Sequence, residues 1–365
     1  DAWLAIPAKR GKVAHREFPM PREVRLALPT DPGVYRLQRS NGDVLYVGKA
    51  RSLRKRVNSH FQKQSGIAEY RLELLSQAKR VDVTICETPL EAALLEADEI
   101  KRLAPPYNKA LLEGERRAVF ANRDFSEVRD RPSRSFAVGP ITSRFAVGPI
   151  RLLVAALAGE PLEGEARSWV LGVGPDRAPP DPLFDAGLVA FRQRWGDQLI
   201  TPDGGLSPDA LYRTGAALMD CDLTVPDRVG EGPEWTEETV VRSLAMVVDT
   251  AARLARRGRW LCQLRECSVA WTARDAATRR CLVITGGAIA RSFEMELAAE
   301  LPIPPGHATS IPDRRRGFDV WSYDRLRVLM TELRRVAGDD PDAAVRFGPG
   351  RPLWGVRLQR ALAWI

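Results

Sequence analysis

Residues 34–47 of this 365-residue sequence carry the pattern of a β-hairpin centred on Asn41-Gly42. Two short runs of β-branched, aliphatic and aromatic residues, 34–39 and 44–47, flank the polar segment 40–43. Asn-Gly between such runs is the strongest short-range hairpin signal, because both residues tolerate the positive φ angles of a type I′ turn. The sequence therefore predicts two antiparallel strands joined by a tight turn.

Two helices and a third strand are predicted after the hairpin. Leu53, Val57 and Phe61 recur at the spacing of one helix face, which predicts a helix over 51–61. A second helix is predicted over 68–78, and alternating apolar residues predict a strand over 81–86.

The last helix of this segment has signals at both of its ends. Thr88 is a candidate N-cap, Pro89 suits the first turn, and Glu91 completes a capping box. The helix must end near Pro105-Pro106, because proline cannot continue a helix. The predicted order of elements is therefore β-β-α-α-β-α.

Positive charge is concentrated in the first 110 residues. They hold 20 Lys and Arg against 13 Asp and Glu, a net charge of +7, whereas the remainder holds 35 against 34. Such an excess is typical of a surface that binds a polyanion. We expect the basic part to bind a polyanion and the near-neutral remainder to bind a partner or position a substrate.

Composition excludes other classes of protein. Five irregularly spaced cysteines argue against a disulfide scaffold and favour a reducing cytoplasm. The longest apolar run, around 152–158, is far shorter than the roughly 18 residues of a membrane span, so no membrane contact is expected.

The first residue is Asp1 rather than Met, which fits a fragment or the trailing part of a longer polypeptide.

The sequence changes character beyond residue 110. The hexapeptide FAVGPI occurs at 136–141 and 145–150, and two copies are too few for a solenoid. Eight of the nine tryptophans lie past residue 160, which indicates a separate core. Periodicity predicts three helices in this part, over 150–157, 236–256 and 323–336, and a hairpin over 268–289.

The hairpin and the capped helix bring together residue types that suit phosphodiester hydrolysis. Tyr35 and Tyr46 lie on the paired strands, Lys49 follows the second strand, and Glu96 lies on the helix. A carboxylate can hold a divalent cation, the cation and an arginine can offset phosphate charge, and a phenol can position or deprotonate water.

These residues resemble the GIY-YIG endonuclease domain, with GVY at 33–35 and YVG at 46–48 as its two half-motifs. The run VLYVGKARSLRKRVNSHF, followed by LEAALLEADEIKRLAPPYN, is similar to the amino-terminal domain of bacterial excinuclease C and its short homologue Cho. It is also similar to the nuclease fused behind a proofreading-type exonuclease in some bacteria. The resemblance covers 28–108, and GPITS at 139–143 loosely resembles the excinuclease segment that follows.

The resemblance implies a fold, a set of regions and an activity. The fold is α/β (α+β), a three-stranded antiparallel sheet flanked by helices, followed by a larger mixed, mainly helical carboxyl-terminal region. Residues 1–27 are then a basic arm or linker, and residues 28–110 are the nuclease domain. Residues 111–160 are a connecting segment that loosely resembles excinuclease, and residues 161–365 are a domain of unknown role. The activity is metal-dependent, structure-selective DNA endonuclease cleavage, as in the 3′-side incision of nucleotide excision repair.

The resemblance also implies partners and a location. The substrate is double-stranded DNA that is damaged or distorted, and the protein partner is a damage-recognition protein of the excinuclease B type. An exonuclease domain upstream on the same polypeptide is a further expectation from the fused relatives. The implied location is the cytoplasm, in association with the nucleoid.

Carried over residue by residue, the resemblance makes Glu96 the ligand of a single Mg²⁺ or Mn²⁺. Tyr35, assisted by Tyr46, activates or orients the attacking water. Lys49 lowers the pKa of that phenol or contacts the phosphate, and Arg56 stabilises charge on the scissile phosphate. A phenol has an ordinary pKa near ~10, so a phenolate at neutral pH needs Lys49, the metal or both close by.

Further residues are implied to support the site or to bind DNA. Asn108 supports the site, and no residue is implied to bind an organic cofactor. The expected DNA contacts are basic residues at and beside the first helix: Lys49, Arg51, Arg54, Lys55 and Arg56.

His60 departs from the excinuclease pattern, which usually has Tyr there, whereas some restriction-enzyme relatives have His. It lies four residues after Arg56, on the same helix face. An imidazole with a pKa near ~6.5 suits proton acceptance at neutral pH better than a phenol. Either Tyr35 or His60 can therefore be the base.

Other departures bear on the wider protein, and two alternative functions stay open. No cysteine lies between 87 and 220, so the iron–sulfur cluster of many excinucleases of this type is not expected. We find neither an RNase H-like carboxylate set nor a tandem helix-hairpin-helix, so a second incision centre is not expected. The alternatives are a nuclease of the restriction or mobile-element type and a non-catalytic DNA-binding scaffold.

Overall fold

The computed structural model describes most of the chain, and it divides the chain into two compact units, residues 1–114 and 115–365. The described residues are 18–62, 69–108, 118–123, 125–142, 147–201, 206–218, 221–224, 227–228, 232–273, 276–308 and 315–363. Most of the predicted elements fall within these ranges. Residue 68 of the helix predicted over 68–78, residues 274–275 of the hairpin predicted over 268–289 and residues 1–17 of the predicted arm lie outside them.

The first unit has the predicted β-β-α-α-β-α order, preceded by a short helix. Its elements are α1 Arg22–Leu26, β1 Gly33–Gln38, β2 Val44–Ala50, α2 Leu53–Gln62, α3 Glu69–Gln77, β3 Arg80–Ile85 and α4 Pro89–Leu103. The three strands form an antiparallel sheet in the order β2-β1-β3. The predicted three-stranded antiparallel sheet is therefore confirmed.

The predicted hairpin is present, but the predicted type I′ turn is wrong. Gly42 has a φ of +94°, and Asn41 does not take a positive φ. The Gly42 N–H donates to the carbonyl of Arg39 (3.2 Å), and the Arg39 N–H donates to the carbonyl of Asp43 (3.0 Å). The Asn41 side chain accepts from the Asp43 N–H (3.1 Å), which stabilises a longer loop with only one left-handed residue.

Part of the predicted arm packs against the first unit. Met20 is 1% exposed and belongs to the same core as the sheet. The ring of Phe18 meets that of Phe61 edge-on at 5.4 Å, and the Arg25 guanidinium lies 4.2 Å from the Phe61 centroid. Phe18, Met20 and Arg25 of the predicted arm therefore pack against the first unit, whereas Val24 and Leu26 are exposed.

Strands β1 and β2 bury side chains on both faces of the sheet, so that Tyr35 and Val34 lie in different clusters. Tyr35 and Leu37 lie in the core formed with α2 and α3. Val34 and Val47 lie in a second cluster with residues of α4. Because neighbouring side chains on a strand point to opposite faces, α2 covers the tyrosines and α4 covers the other side.

The predicted capping box of α4 is confirmed. The Thr88 hydroxyl accepts from the Glu91 N–H (3.2 Å), and the Glu91 carboxylate accepts from the Thr88 N–H (3.0 Å). The helix ends at Leu103, and its C-cap residue Ala104 has a φ of +44° immediately before Pro105. Local sequence therefore sets both ends of α4, and this determines which residues of α4 lie against each part of the sheet.

The second unit combines helices with a five-stranded sheet. Its first part contains β4 Val119–Ala121, β5 Val128–Arg129, β6 Val138–Ile141, α5 Gly148–Leu157, α6 Glu165–Leu171, α7 Asp181–Phe191 and α8 Pro208–Leu218. Its second part contains β7 Asp227–Arg228, β8 Gly232–Pro233, α9 Glu237–Leu264, β9 Cys267–Thr272, β10 Thr278–Thr285, β11 Ala288–Glu296, α10 Val320–Asp339, β12 Ala344–Arg346, β13 Leu353–Trp354 and α11 Gly355–Ala363.

The segment interpreted as a connector over 111–160 contributes to the core of the second unit. Val119, Ile141 and Leu153 are buried in the same cluster as Val248 of α9. The two FAVGPI copies also differ in structure, since the first ends in strand β6 and the second runs into α5. Tertiary packing, rather than the hexapeptide itself, therefore decides the local structure.

The hairpin predicted over 268–289 belongs to a larger sheet. Its strands run in the order β11-β10-β9-β12-β13, and all the pairs are antiparallel. Among the helices of the described segments, none is long and apolar enough to cross a membrane.

Candidate active site

Two tyrosines lie on the α2 face of the hairpin because of its register. Tyr35 pairs with Gly48 and Leu37 pairs with Tyr46, so the two phenol rings lie diagonally across the strand pair. Their centroids are 6.1 Å apart. A Cβ on Gly48 would lie 2.5 Å from the Tyr35 hydroxyl oxygen and 2.8 Å from the Tyr46 ring. Glycine at position 48 therefore makes room for both phenols.

His60 completes an aromatic cluster with these tyrosines. Its Nε2 lies 2.6 Å from the Tyr35 hydroxyl oxygen, and its ring lies 5.7 Å and 5.9 Å from those of Tyr35 and Tyr46. His60 is 4% exposed, and its Nδ1 is buried without a hydrogen-bond partner in the described part of the chain. The structure therefore brings both candidate bases into direct contact.

The protonation states of Tyr35 and His60 follow from their burial. Burial raises the pKa of Tyr35 well above its ordinary value, and the neighbouring Tyr46 adds to this, while Arg56 acts in the opposite direction. Burial, with the positive charges of Arg56 and Arg71, lowers the pKa of His60 to about 4. At neutral pH we therefore assign a protonated phenol that donates to a neutral imidazole.

Tyr46 is less buried than Tyr35 and is also kept protonated. Burial raises its pKa, and the negative charge of Glu96 raises it further, while Arg56 and Arg71 act in the opposite direction. Glu96 also raises the pKa of Tyr35. The carboxylate is thus close enough to influence both phenols electrostatically.

Glu96 and Lys49 meet where β2 ends against α4. One carboxylate oxygen of Glu96 accepts from the Lys49 backbone N–H (2.9 Å), and the other lies 3.9 Å from the Lys49 Nζ. The side chain of Glu96 is 20% exposed, and that of Lys49 is 41% exposed. The backbone bond orients the carboxylate, and its exposed fraction keeps it within reach of solvent and of a substrate.

The donor set around Glu96 fits a divalent cation of the magnesium type. Mg²⁺ in proteins is bound through one or two carboxylates, while water and substrate phosphate complete its octahedron. A single partly exposed carboxylate fits that pattern. No cluster of three or more His, Cys, Asp or Glu side chains that could hold a metal ion occurs among the described residues.

The basic residues of the predicted DNA surface differ in their surroundings. Arg51, Lys55 and Arg56 are exposed at the start of α2 and along it. Arg54 Nε donates to the carbonyl of Leu28 (2.7 Å), so part of this side chain ties α2 to the preceding segment. The roles of these residues in DNA binding stay predictions.

Asn108 holds the edge of the sheet beside the phenols. Its amide oxygen accepts from the Val47 N–H, and its amide nitrogen donates to the Val47 carbonyl, both at 2.8 Å. Val47 lies between Tyr46 and Gly48, so the bidentate contact fixes the backbone that carries both. This geometry is that of a positioning residue, and the role of Asn108 in supporting the site stays a prediction.

Sequence reasoning missed Arg71, whose charge acts on both His60 and Tyr46. Arg71 lies on α3, and only the packing of α3 beside α2 brings it near the cluster. No local motif marks it. Sequence reasoning also did not predict that Tyr35 and Tyr46 leave no room for a side chain at position 48, although Gly48 belongs to the second half-motif.

His60 is expected to make the first unit less stable in acid. Its pKa of about 4 in the folded chain is lower than the ordinary ~6.5, so the unfolded chain binds more protons between these values. Stability should therefore fall as the pH drops through that window. His60→Gln should remove this contribution, as measured by hydrogen exchange of α2 amides across the window. His307→Gln, in the second unit, is the control, and parallel curves for parent and His60→Gln would contradict the assignment.

The first unit matches a known family of domains. The family model for the UvrC-like GIY-YIG domain matches residues 31–109. UvrABC system protein C of Legionella pneumophila (strain Lens) is 48% identical over 84 residues, which are 23% of this chain and 13% of that protein. The protein of the same name from Nitrosomonas europaea is 51% identical over 83 residues, 23% of this chain and 14% of the relative.

Two further comparisons differ in how much of the chain they cover. UvrABC system protein C of Sphingopyxis alaskensis is 38% identical over 129 residues, 34% of this chain and 20% of that protein. The magnesium-bound GIY-YIG N-terminal endonuclease domain of UvrC from Thermotoga maritima is 30% identical and covers 25% of this chain and all of that structure, with a TM-score of 0.22. The chain thus matches only a small part of its full-length relatives.

Proposed function

We propose that the chain acts as a metal-dependent, structure-selective DNA endonuclease through residues 31–109, which match the family model for the UvrC-like GIY-YIG domain. The proposed reaction is phosphodiester hydrolysis on the 3′ side of a lesion, as in nucleotide excision repair. The observation that carries the proposal is the buried Tyr35–His60 pair, joined at 2.6 Å, beside the partly exposed carboxylate of Glu96.

The proton of the attacking water needs an acceptor at neutral pH. Tyr35 cannot be that acceptor alone, because burial keeps its pKa high. We propose that the water passes a proton to the Tyr35 oxygen while the phenol passes its own proton to His60 Nε2. Negative charge that develops on the phosphodiester in the transition state stabilises the imidazolium as it forms.

The remaining charges act on the phosphate. A Mg²⁺ or Mn²⁺ held by Glu96 would supply Lewis-acid stabilisation of the developing negative charge. Arg56 lies at the exposed edge of the cluster and is proposed to contact the scissile phosphate. Lys49 is proposed to contact a phosphate oxygen beside Glu96, and Asn108 positions the strand that carries Tyr46.

The substrate and partners follow from charge and relatives. The net charge of +7 in the first 110 residues supports binding of double-stranded DNA. The relatives are named UvrABC system protein C, which supports a damage-recognition partner of the excinuclease B type. An exonuclease domain upstream and a location at the nucleoid in the cytoplasm complete the proposal.

The function is tested by mapping cleavage on an end-labelled duplex with a single lesion, in Mg²⁺ and with an excinuclease B-type partner present or absent. One nick on the 3′ side of the lesion is expected. Sequence-specific fragments from undamaged plasmid would instead indicate a restriction-type nuclease, which His60 favours. Tight binding without cleavage in Mg²⁺ or Mn²⁺ would indicate a non-catalytic scaffold.

Arg56 and Lys55 are expected to separate catalysis from binding. Arg56→Gln should lower the single-turnover cleavage rate about a hundredfold, because it removes a donor aimed at transition-state charge. Lys55→Gln should leave that rate unchanged but weaken binding and reduce the salt slope by about 0.9, the value for one lost phosphate contact. Anisotropy titrations and single-turnover cleavage measure the two effects, and identical profiles for both variants would contradict this division.

A further inference from the structure

The second unit contains a cavity of about 380 Å³, which is a usual volume for a small-ligand site. It lies between the segment after β11 and the segment that joins β12 to β13 and α11. Three arginines and a tryptophan line it: Arg279, Arg351, Arg357 and Trp354. Glu300 also lines it, and its carboxylate lies 3.4 Å from the guanidinium of Arg346. The lining is therefore strongly cationic.

Arg279 is a buried cation whose hydrogen bonding is incomplete. It is 3% exposed, its NH2 donates to the carbonyl of Asp342 (3.0 Å), and its Nε is buried without a partner among the described residues. Burial lowers its pKa, although the charges of Asp342 and Asp340 act in the opposite direction. Asp340 already accepts from the Thr272 N–H (2.6 Å). A buried charge without full pairing is costly, so an anion in the cavity would stabilise Arg279.

Trp354 gives the cavity an aromatic surface that a ligand can reach. It lies on β13, where it pairs with Ala344 of β12, and it is 54% exposed. Arg351 and Arg357, three residues to either side, are exposed as well. Guanidinium groups bind phosphate, and an accessible aromatic ring stacks on a nucleobase.

We propose that this cavity binds a nucleotide unit, with the phosphate held by Arg279, Arg351 and Arg357 and the base stacked on Trp354. A nucleotide within a single DNA strand and a free nucleotide share this chemistry. The near-neutral charge of the second unit does not oppose the site, because its arginines are concentrated locally. The inference is independent of the nuclease activity and of Glu96.

The test measures binding of the full chain to a fluorescein-labelled single-stranded oligonucleotide in EDTA, so that cleavage cannot interfere. Trp354→Leu is expected to weaken binding about tenfold, the effect of one lost base stack. Arg351→Gln should weaken it as well and reduce the salt slope by about 0.7. Arg194→Gln is the matched control, because Arg194 is exposed and lies 5.4 Å from Trp195 outside the cavity.

Two further arms identify the source of the nucleotide. If deoxyadenosine monophosphate competes with the oligonucleotide for the parent but not for Trp354→Leu, the ligand of the cavity is a free nucleotide. If it does not compete for the parent, the ligand is a nucleotide within a DNA strand. Photo-crosslinking of a 5-bromodeoxyuridine oligonucleotide should place an adduct on the peptide that contains Trp354. The proposal is overturned if Trp354→Leu and Arg351→Gln bind both probes as the parent does. That outcome would leave the cleavage results of the first unit unaffected.

Discussion

A Glu96→Gln variant is expected to cleave DNA at least about a thousandfold more slowly than the parent, because a bound cation supplies several kcal/mol of transition-state stabilisation. Glutamine keeps the size of the side chain and can still accept from the Lys49 N–H, now 2.9 Å from the carboxylate. The variant should therefore fold and bind DNA normally. Single-turnover cleavage of an end-labelled duplex containing a bubble measures the effect.

A separate readout shows whether the loss comes from the metal. A titration with Mn²⁺ that is monitored by electron paramagnetic resonance should show one binding site in the parent and none in Glu96→Gln. Glu87→Gln is the matched control, since Glu87 is an exposed carboxylate of the same domain just before α4. Unchanged Mn²⁺ binding together with cleavage at the parent rate would show that Glu96 is not the metal ligand.

The fold of the first unit was predictable because its signals are local. The capping box at Thr88 and Glu91 and the apolar spacing of α2 each act within one or two helical turns. The resemblance then supplied candidate residues, and the structure places Tyr35, Tyr46 and His60 in contact with one another.

The type of the turn and the packing of Phe18 on the first unit could not be predicted, because both depend on contacts that the local pattern does not show. At the hairpin, the side chain of Asn41 bonds to Asp43 and favours a loop different from the one that Asn-Gly alone predicts. In the amino-terminal segment, Phe18 finds an apolar partner, Phe61, that lies far along the chain. Composition describes the segment but not its distant partners.

The sheet order of the second unit could not be predicted either, because it also depends on contacts between residues that lie far apart in the sequence. Its sheet pairs β9 with β12, strands that lie far apart in the sequence, so no local pattern could predict the pairing. The cluster of Arg279, Arg351 and Trp354 depends on that pairing. The domain boundaries and the roles of the site residues stay predictions, and the experiments on Glu96 and on the phenol–imidazole pair test the latter.

Tyr35→Phe and His60→Gln are each expected to slow cleavage on the order of a thousandfold, within the range of general acid–base catalysis. In a relay, the water proton reaches His60 only through the Tyr35 oxygen, so loss of either group interrupts the same path. The double variant should therefore be no slower than the slower single variant. Tyr70→Phe is the control, because Tyr70 is a 54% exposed phenol on α3 of the same domain.

The pH dependence of His60→Tyr decides which group receives the proton. In the parent, the imidazole with a pKa of about 4 is neutral throughout the neutral range, so the single-turnover rate should vary little there with pH. His60→Tyr restores the residue usual in the excinuclease pattern but replaces the acceptor by a phenol, whose ordinary pKa is near ~10. Its rate should therefore rise with pH into the alkaline range. If both proteins instead follow one pH profile, the proton does not end on residue 60, and Tyr35 is left as the base.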